Sequence, residues 1–266
     1  MKPLSKLRKY AVITKVSFSN AIVYRAATFT RFLFYTLFIY VFMGLWKAIY
    51  QEGSVHGYSY LQMVWYLIMT EFVVFTCDTS VYRAMNEDVK SGSIAYLIGR
   101  PTHYVFYQLF NSLGQMMLNF ISFGFFAILL GLLFVGSLPG FHISTVPPLL
   151  LSLGLSLLLN YFFLMLIGLS SFIVEDNFAL YLIYQKICFM LGLFLPVEFL
   201  PDWLQPIARG LPFSYICWAP AKLFVTYSPE LFWELVPRQA AWTGLAVLLA
   251  LAAYRAGVRK LQVNGG

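Results

Sequence analysis

Residues 104–135 read YVFYQLFNSLGQMMLNFISFGFFAILLGLLFV, a run with no charged side chain. As a helix it would be about 48 Å long, well beyond the roughly 30 Å hydrocarbon core of a bilayer. Strands of a membrane barrel are about ten residues long and alternate in polarity, whereas this run is far longer and mostly apolar all round. Five further apolar stretches accompany it, at about 32–50, 58–80, 146–173, 177–199 and 237–256. The composition agrees: 60% hydrophobic, 19% aromatic and 11% charged, against about a quarter charged in a soluble domain. We therefore expect an all-α integral membrane protein, one transmembrane domain over 1–266, with six transmembrane helices.

Charge placement orients it. Thirteen of the 18 lysines and arginines fall in the N-terminal part, the 81–103 segment and the C-terminus. Lys47, Arg209, Lys222 and Arg238 fall on the other side. By the positive-inside rule both termini and the 81–103 segment face the cytoplasm of a cell-membrane protein. The net charge of +7 then reflects topology, and no basic cluster interleaved with aromatics points to nucleic acid. The first strong apolar run starts only at about Phe32 with no cleavage pattern after it. Residues 1–25 instead place Lys2, Lys6 and Lys9 at helical spacing, with Leu4, Leu7, Ala11 and Val16 on other faces. That suits an amphipathic interfacial helix; a plain basic flank is the alternative.

Within the long run, Gln108, Asn111, Gln115 and Asn119 share one helical face. Interhelical hydrogen bonding by amides is the simpler role, and a substrate contact the other. Ala246, Ala250, Ala253 and Gly257 form a small-residue face suited to close packing within the chain or between copies. Cys77 and Cys188 fall in spans and Cys217 toward the outside, with no metal-ligand spacing. His56, His103 and His142 lack a second ligand at zinc spacing.

Two ionisable residues lie deep in apolar runs. Glu71 in the second and Lys186 in the fifth sit at matching depths, on the order of 10 to 15 Å from the cytoplasmic boundary. Such groups are costly unless paired or hydrated. Glu71 and Lys186 either pair or both face an aqueous path, with Gln185 nearby. The bland alternative is a snorkelling Lys186 and a neutral, hydrogen-bonded Glu71.

No phosphate-binding G-x-x-x-x-G-K-[ST], no G-x-S-x-G and no H-E-x-x-H occurs. The chain reads as a non-enzyme, and work against a gradient would need energy from another chain. Residues 196–236 form a proline-rich, aromatic outer cap. Asp202 would cap a short helix ended by Gly210, with Trp203, Leu204 and Ile207 as its apolar side, and a second short helix would follow Pro212. Broken helices of this kind suit a re-entrant lid.

Between the second and third runs stands "NEDVKSGSIAYLIGRP", residues 86–101. Ser93 would cap a one-turn helix closed by Gly99 and Pro101. Its Ile94, Leu97 and Ile98 would be presented to a groove in a soluble partner or pack back on the chain's own helices. This run, with "LFLPVEFLPDWLQPIARGLPFSYICWAPAKL" after the fifth span, resembles the membrane subunit of type 2 ABC exporters, in particular the stand-alone six-span bacterial permeases.

That resemblance implies two permeases, identical or sister chains, assembled in the bilayer with two separate ABC ATPase subunits. ATP and Mg would be bound by those partners and no cofactor by this chain. It further implies that Glu87, Lys90, Gly92, Ile94, Leu97, Arg100 and Pro101 form the ATPase-coupling element, with Val174–Phe178 a lesser contact. The second and fifth spans, carrying Glu71, Gln185 and Lys186, would line the substrate path, and Pro196, Trp203 and Pro212 would belong to the outer gate. Lys186 follows no general rule of that family. The aromatic interior suits amphipathic or lipid-like cargo as readily as it suits lipid contact. An ion-coupled secondary transporter using Glu71 and Lys186 is the rival class, although its mid-membrane helix breaks are not evident in the sequence.

Overall fold

The computed structural model describes residues 3–23, 26–50, 55–100, 102–137, 141–174 and 176–264. Among them every named element is helical, beside one isolated β-bridge between Val55 and Tyr58. Five helical stretches are long and apolar enough to cross a membrane: Thr28–Ile49, Tyr60–Lys90, Tyr104–Phe134, Ile143–Phe172 and Pro229–Arg259. The chain is an all-α integral membrane protein. The expected sixth span, 177–199, is a shorter and broken helix, Phe178–Leu193.

Helix α1 (Pro3–Val23) packs lengthwise on α6 (Tyr104–Phe134). Gly114 permits it, since a Cβ there would come within 2.6 Å of the α1 backbone at Thr14 and Phe18. Thr14 and Ser17 donate their hydroxyls to the carbonyls of Phe110 and Asn111, and Tyr10 stacks on Phe110 at 4.7 Å. The expected surface helix is therefore docked on the bundle, with Val12 and Val16 exposed on it. Lys2 lies outside the described residues.

Helix α2 (Ala26–Ile49) touches α3 (Tyr60–Thr76) through Tyr35, whose hydroxyl donates to the Ile68 carbonyl at 2.7 Å. It leaves Phe29, Leu33, Phe34 and Leu37 exposed, a lipid-facing side. Helix α3 is buried on nearly all sides, as an apolar-all-round helix at the centre of a bundle must be. A capping box between Ser59 and Gln62 starts it. It stops at Thr76, earlier than the run 58–80 suggested, because Cys77 is extended and Asp78 accepts the Ser80 amide at 2.9 Å, opening a new helix. Asn119 donates to the orphaned Thr76 carbonyl at 3.3 Å, so this amide joins two helices.

What the charge pattern marked as a loop is largely helix α4 (Ser80–Lys90). Val81, Tyr82 and Met85 are buried, and Gly168 of α7 (Val146–Leu169) admits Met85 and Tyr82 to within 2.9 and 3.2 Å of where a Cβ would stand. Helix α11 (Pro229–Asn264) packs along α7. Gln239 donates to the carbonyls of Ser152 and Tyr215, Ala246 and Ala250 are buried, and Gly257 lies against the Phe172 ring. The small-residue face thus closes within the chain.

Helix α8 (Phe178–Cys188) runs into a π-helical turn, Phe189–Leu193, and the 16 residues of Phe178–Leu193 give about 24 Å of length. Gly192 breaks it at φ 146°, a backbone angle for which glycine is suited. Its carbonyl accepts the Tyr66 hydroxyl, and Trp218 fills the space a Cβ would need. Next come a 3-10 turn, Val197–Phe199, then α9 (Gln205–Gly210) and α10 (Ser214–Val225).

Two expectations about the cap change here. Asp202 does not cap α9, whose N-cap is Leu204, and Trp203 and Ile207 stand exposed. Helix α10, expected within the re-entrant cap, packs into the bundle: nearly all of its residues are buried, against α3, α7 and the π turn. Pro196 and Pro212 are buried at its approaches. Its aromatic residues Tyr215 and Trp218 are buried there, with Cys217 between them.

Candidate functional site

Helix α5 (Ser93–Ile98) packs on α4, beyond the C-terminal end of α3, whereas Glu198 and Arg209, near α9, meet Tyr58 before the N-terminal end of α3. Its N-cap is Gly92 at φ 73°, and Ser93 is its first helical residue. Ser93 does not cap the helix; its hydroxyl donates to Asp88 at 3.0 Å. Asp88 also accepts the Tyr104 hydroxyl at 2.6 Å and the Gln108 amide at 3.3 Å. One carboxylate therefore clamps α4, α5 and the start of α6 together.

Packing corrects the expected apolar plug. Ile94 is 0% exposed and Leu97 and Ile98 are half-buried, so that face holds α5 to its own chain. The exposed surface is Tyr96, 71% accessible, with the Arg100 guanidinium 5.0 Å from its ring centre. Glu87, Lys90 and Gly92 are exposed beside it. Pro101 lies outside the described residues. Tyr96 was missed in the sequence because a lone aromatic in an apolar stub gives no sign of its direction. On the next turn at this end, Ile173, Val174 and Phe178 are exposed, and Glu175 lies outside the described residues.

Deeper in the bundle, α3, α8 and α10, with residues of α2 and α7, line a partly open cavity of about 310 Å³. Glu71, Gln185 and Lys186 all line it, with Asn160 of α7 and the three thiols Cys77, Cys188 and Cys217. Glu71 and Lys186 form no ion pair among the described residues. Glu71 is 6% exposed and makes no hydrogen bond to a described residue, while Gln185 and Lys186 are exposed at the margin. Cys217, expected toward the outside, is a buried cavity residue. Among the described residues no cluster of His, Cys, Asp or Glu could hold a metal ion.

Across the break after α3 lies a second, polar cavity of about 590 Å³. Arg31, Asp78, Arg83, Asn111 and Gln115 line it, and it shares Val74, Cys77 and Thr79 with the first. Arg31 is fixed there by donation to the Phe75 carbonyl and by the Phe123 ring 4.8 Å away.

At the α9 end, Glu198 gathers Lys222, Trp218 and Tyr58 by hydrogen bonds, with Arg209 at 3.7 Å. Burial alone would push its carboxyl up, but Lys222 and these donors outweigh that and hold it below the usual carboxylate range. The sequence had given no reason to join these residues, which come from four elements.

A search of curated proteins gives no match. A family model does: residues 32–265 match that of the ABC-2 family transporter protein. The match spans most of α2 and all of α3 to α11, and so includes α5, the first cavity and the α10 insertion. The architecture and this match agree that the chain, a multi-pass permease rather than an enzyme and the partner of an ATPase subunit, belongs to the ABC-2 transporter family.

Proposed function

We propose that this chain is the permease of an ATP-driven exporter of the cell membrane, with the α5 end and both termini facing the cytoplasm. Two copies, or this chain and a sister permease, assemble with two ATPase subunits that bind ATP and Mg. The clamp at Asp88 is the observation that supports this reading most. It makes the exposed Tyr96–Arg100 tip continuous with α4 and α6, so force on the tip reaches the α3 break and the walls of both cavities. Closure of the ATPase dimer would bias the bundle from inward-facing to outward-facing by differential binding. Substrate would enter through the polar cavity and pass Glu71, Gln185 and Lys186. Pro196 and Pro212 would hinge the outer gate, with Trp203 at its exposed margin.

Family membership weighs against the ion-coupled alternative. The test compares Asp88→Asn with Arg100→Glu in the assembled complex. Both are expected to lower transport at least tenfold while membrane insertion stays normal: Asp88→Asn because a hydrogen bond to a charged group is worth about 1.5–3 kcal/mol, and Arg100→Glu because it reverses the charge at the exposed tip. Full transport by both variants would falsify the coupling role of this tip.

A further inference from the structure

Glu71 is the one buried carboxyl that faces a cavity with no partner on the described residues. An unpaired charge inside a membrane is expensive, and a functional origin is the default expectation. Four aromatic side chains, Phe38, Tyr181, Tyr184 and Phe189, line the same space. Ring faces attract cations, most strongly where water is excluded. Tyr184 spends its hydroxyl proton on the Asn160 side-chain oxygen. The cationic group, Lys186, is exposed at the margin with Gln185, so the buried part of the cavity holds one carboxyl, ring faces and neutral polar groups, among them Asn160 and the three thiols, and no buried cation among the described residues.

We propose that the Glu71 cavity is a binding subsite for an organic cation with delocalised charge and an apolar body. This rests on the permease reading above and names its substrate class. One carboxylate and aromatic walls cannot replace the hydration shell of a compact ion, whereas a weakly hydrated organic cation loses little on entering. A volume of about 310 Å³ lies at the small end of small-molecule pockets. Lys186, of like charge to the cargo, stands at the margin and opposes occupancy, which favours release.

Two ions of the same shape and opposite charge test this. Equilibrium binding of radiolabelled tetraphenylphosphonium and of tetraphenylborate is measured on the chain purified with its ATPase. Glu71→Gln is expected to weaken the phosphonium about tenfold or more, as for loss of a charged contact. Glu71→Asp should keep most of the affinity, and Lys186→Met should raise it. Tetraphenylborate should show the opposite order. Thermal unfolding of Glu71→Gln should be no lower than that of the native chain, because the variant removes a buried charge.

Phosphonium affinity unchanged in Glu71→Gln, or borate bound as tightly as phosphonium, overturns the inference. Basal ATP hydrolysis in the same preparation separates the two layers. Hydrolysis without Glu71-dependent cation binding removes the substrate class alone. Cation binding by a chain with no ATPase partner removes the exporter reading and leaves the subsite standing.

Discussion

Glu198 shows what single residues contribute. It is partly buried among Lys222, Trp218 and Tyr58, and removing Lys222 leaves the carboxylate charge only the longer contact to Arg209. Lys222→Met should therefore lower stability by about 1.5–3 kcal/mol, as for loss of a hydrogen bond to a charged group, read as a drop in detergent unfolding temperature; an unchanged temperature would contradict the pairing. The pH dependence has a definite sign. A carboxyl held below its usual range in the folded chain contributes stability that is fully present above that usual range. The contribution is lost as pH falls through the lowered value. Acid should thus destabilise the native chain more than Glu198→Gln, and equal acid sensitivity would show that this group does not anchor the cap. Glu71 and Lys186 could be singled out in the sequence because an ionisable residue in an apolar run is conspicuous. Glu198 could not: Tyr58 and Lys222 reach it from distant parts of the chain, and its neighbours in sequence suggested only a lid.

Among elements, apolar run length located the crossing helices, and the amide stripe on α6 marked real interhelical contacts at Gln108 and Asn119. Two features escaped. The α3 break is marked by the extended Cys77 and by Asp78 accepting the Ser80 amide, a local signal hidden inside a window chosen for hydropathy. The depth to which α10 inserts depends on burial against α3 and α7, contacts that no local residue pattern specifies. The α1–α6 seam is testable in the same terms. Gly114→Leu would drive side-chain atoms into the α1 backbone and should cost about 1–3 kcal/mol. Hydrogen exchange across residues 8–23 should rise in that variant. Unaltered protection of α1 would mean that it is held elsewhere. At the α8 break, Gly192→Ala meets both a positive φ and the Trp218 side chain. A loss of about 1–3 kcal/mol is expected, and a neutral effect would show that the break can straighten.

For the whole molecule, the account is one of mechanical continuity. A tip held by buried Ile94 and by Asp88 leads through α4 and α6 to the α3 break, where two cavities share a wall. The resemblance in sequence pointed to the family that the match shows; of the coupling residues it implied, Ile94 is spent on the fold's own packing and Leu97 is half-buried, while Glu87, Lys90, Gly92 and Arg100 are exposed. The direct measurement is site-specific photocrosslinking in intact membranes, with a benzophenone amino acid at position 96 and, separately, at position 94. The account predicts an adduct from position 96 with a chain carrying a phosphate-binding loop, and none from position 94. An adduct from position 94, or only lipid adducts from position 96, would contradict it.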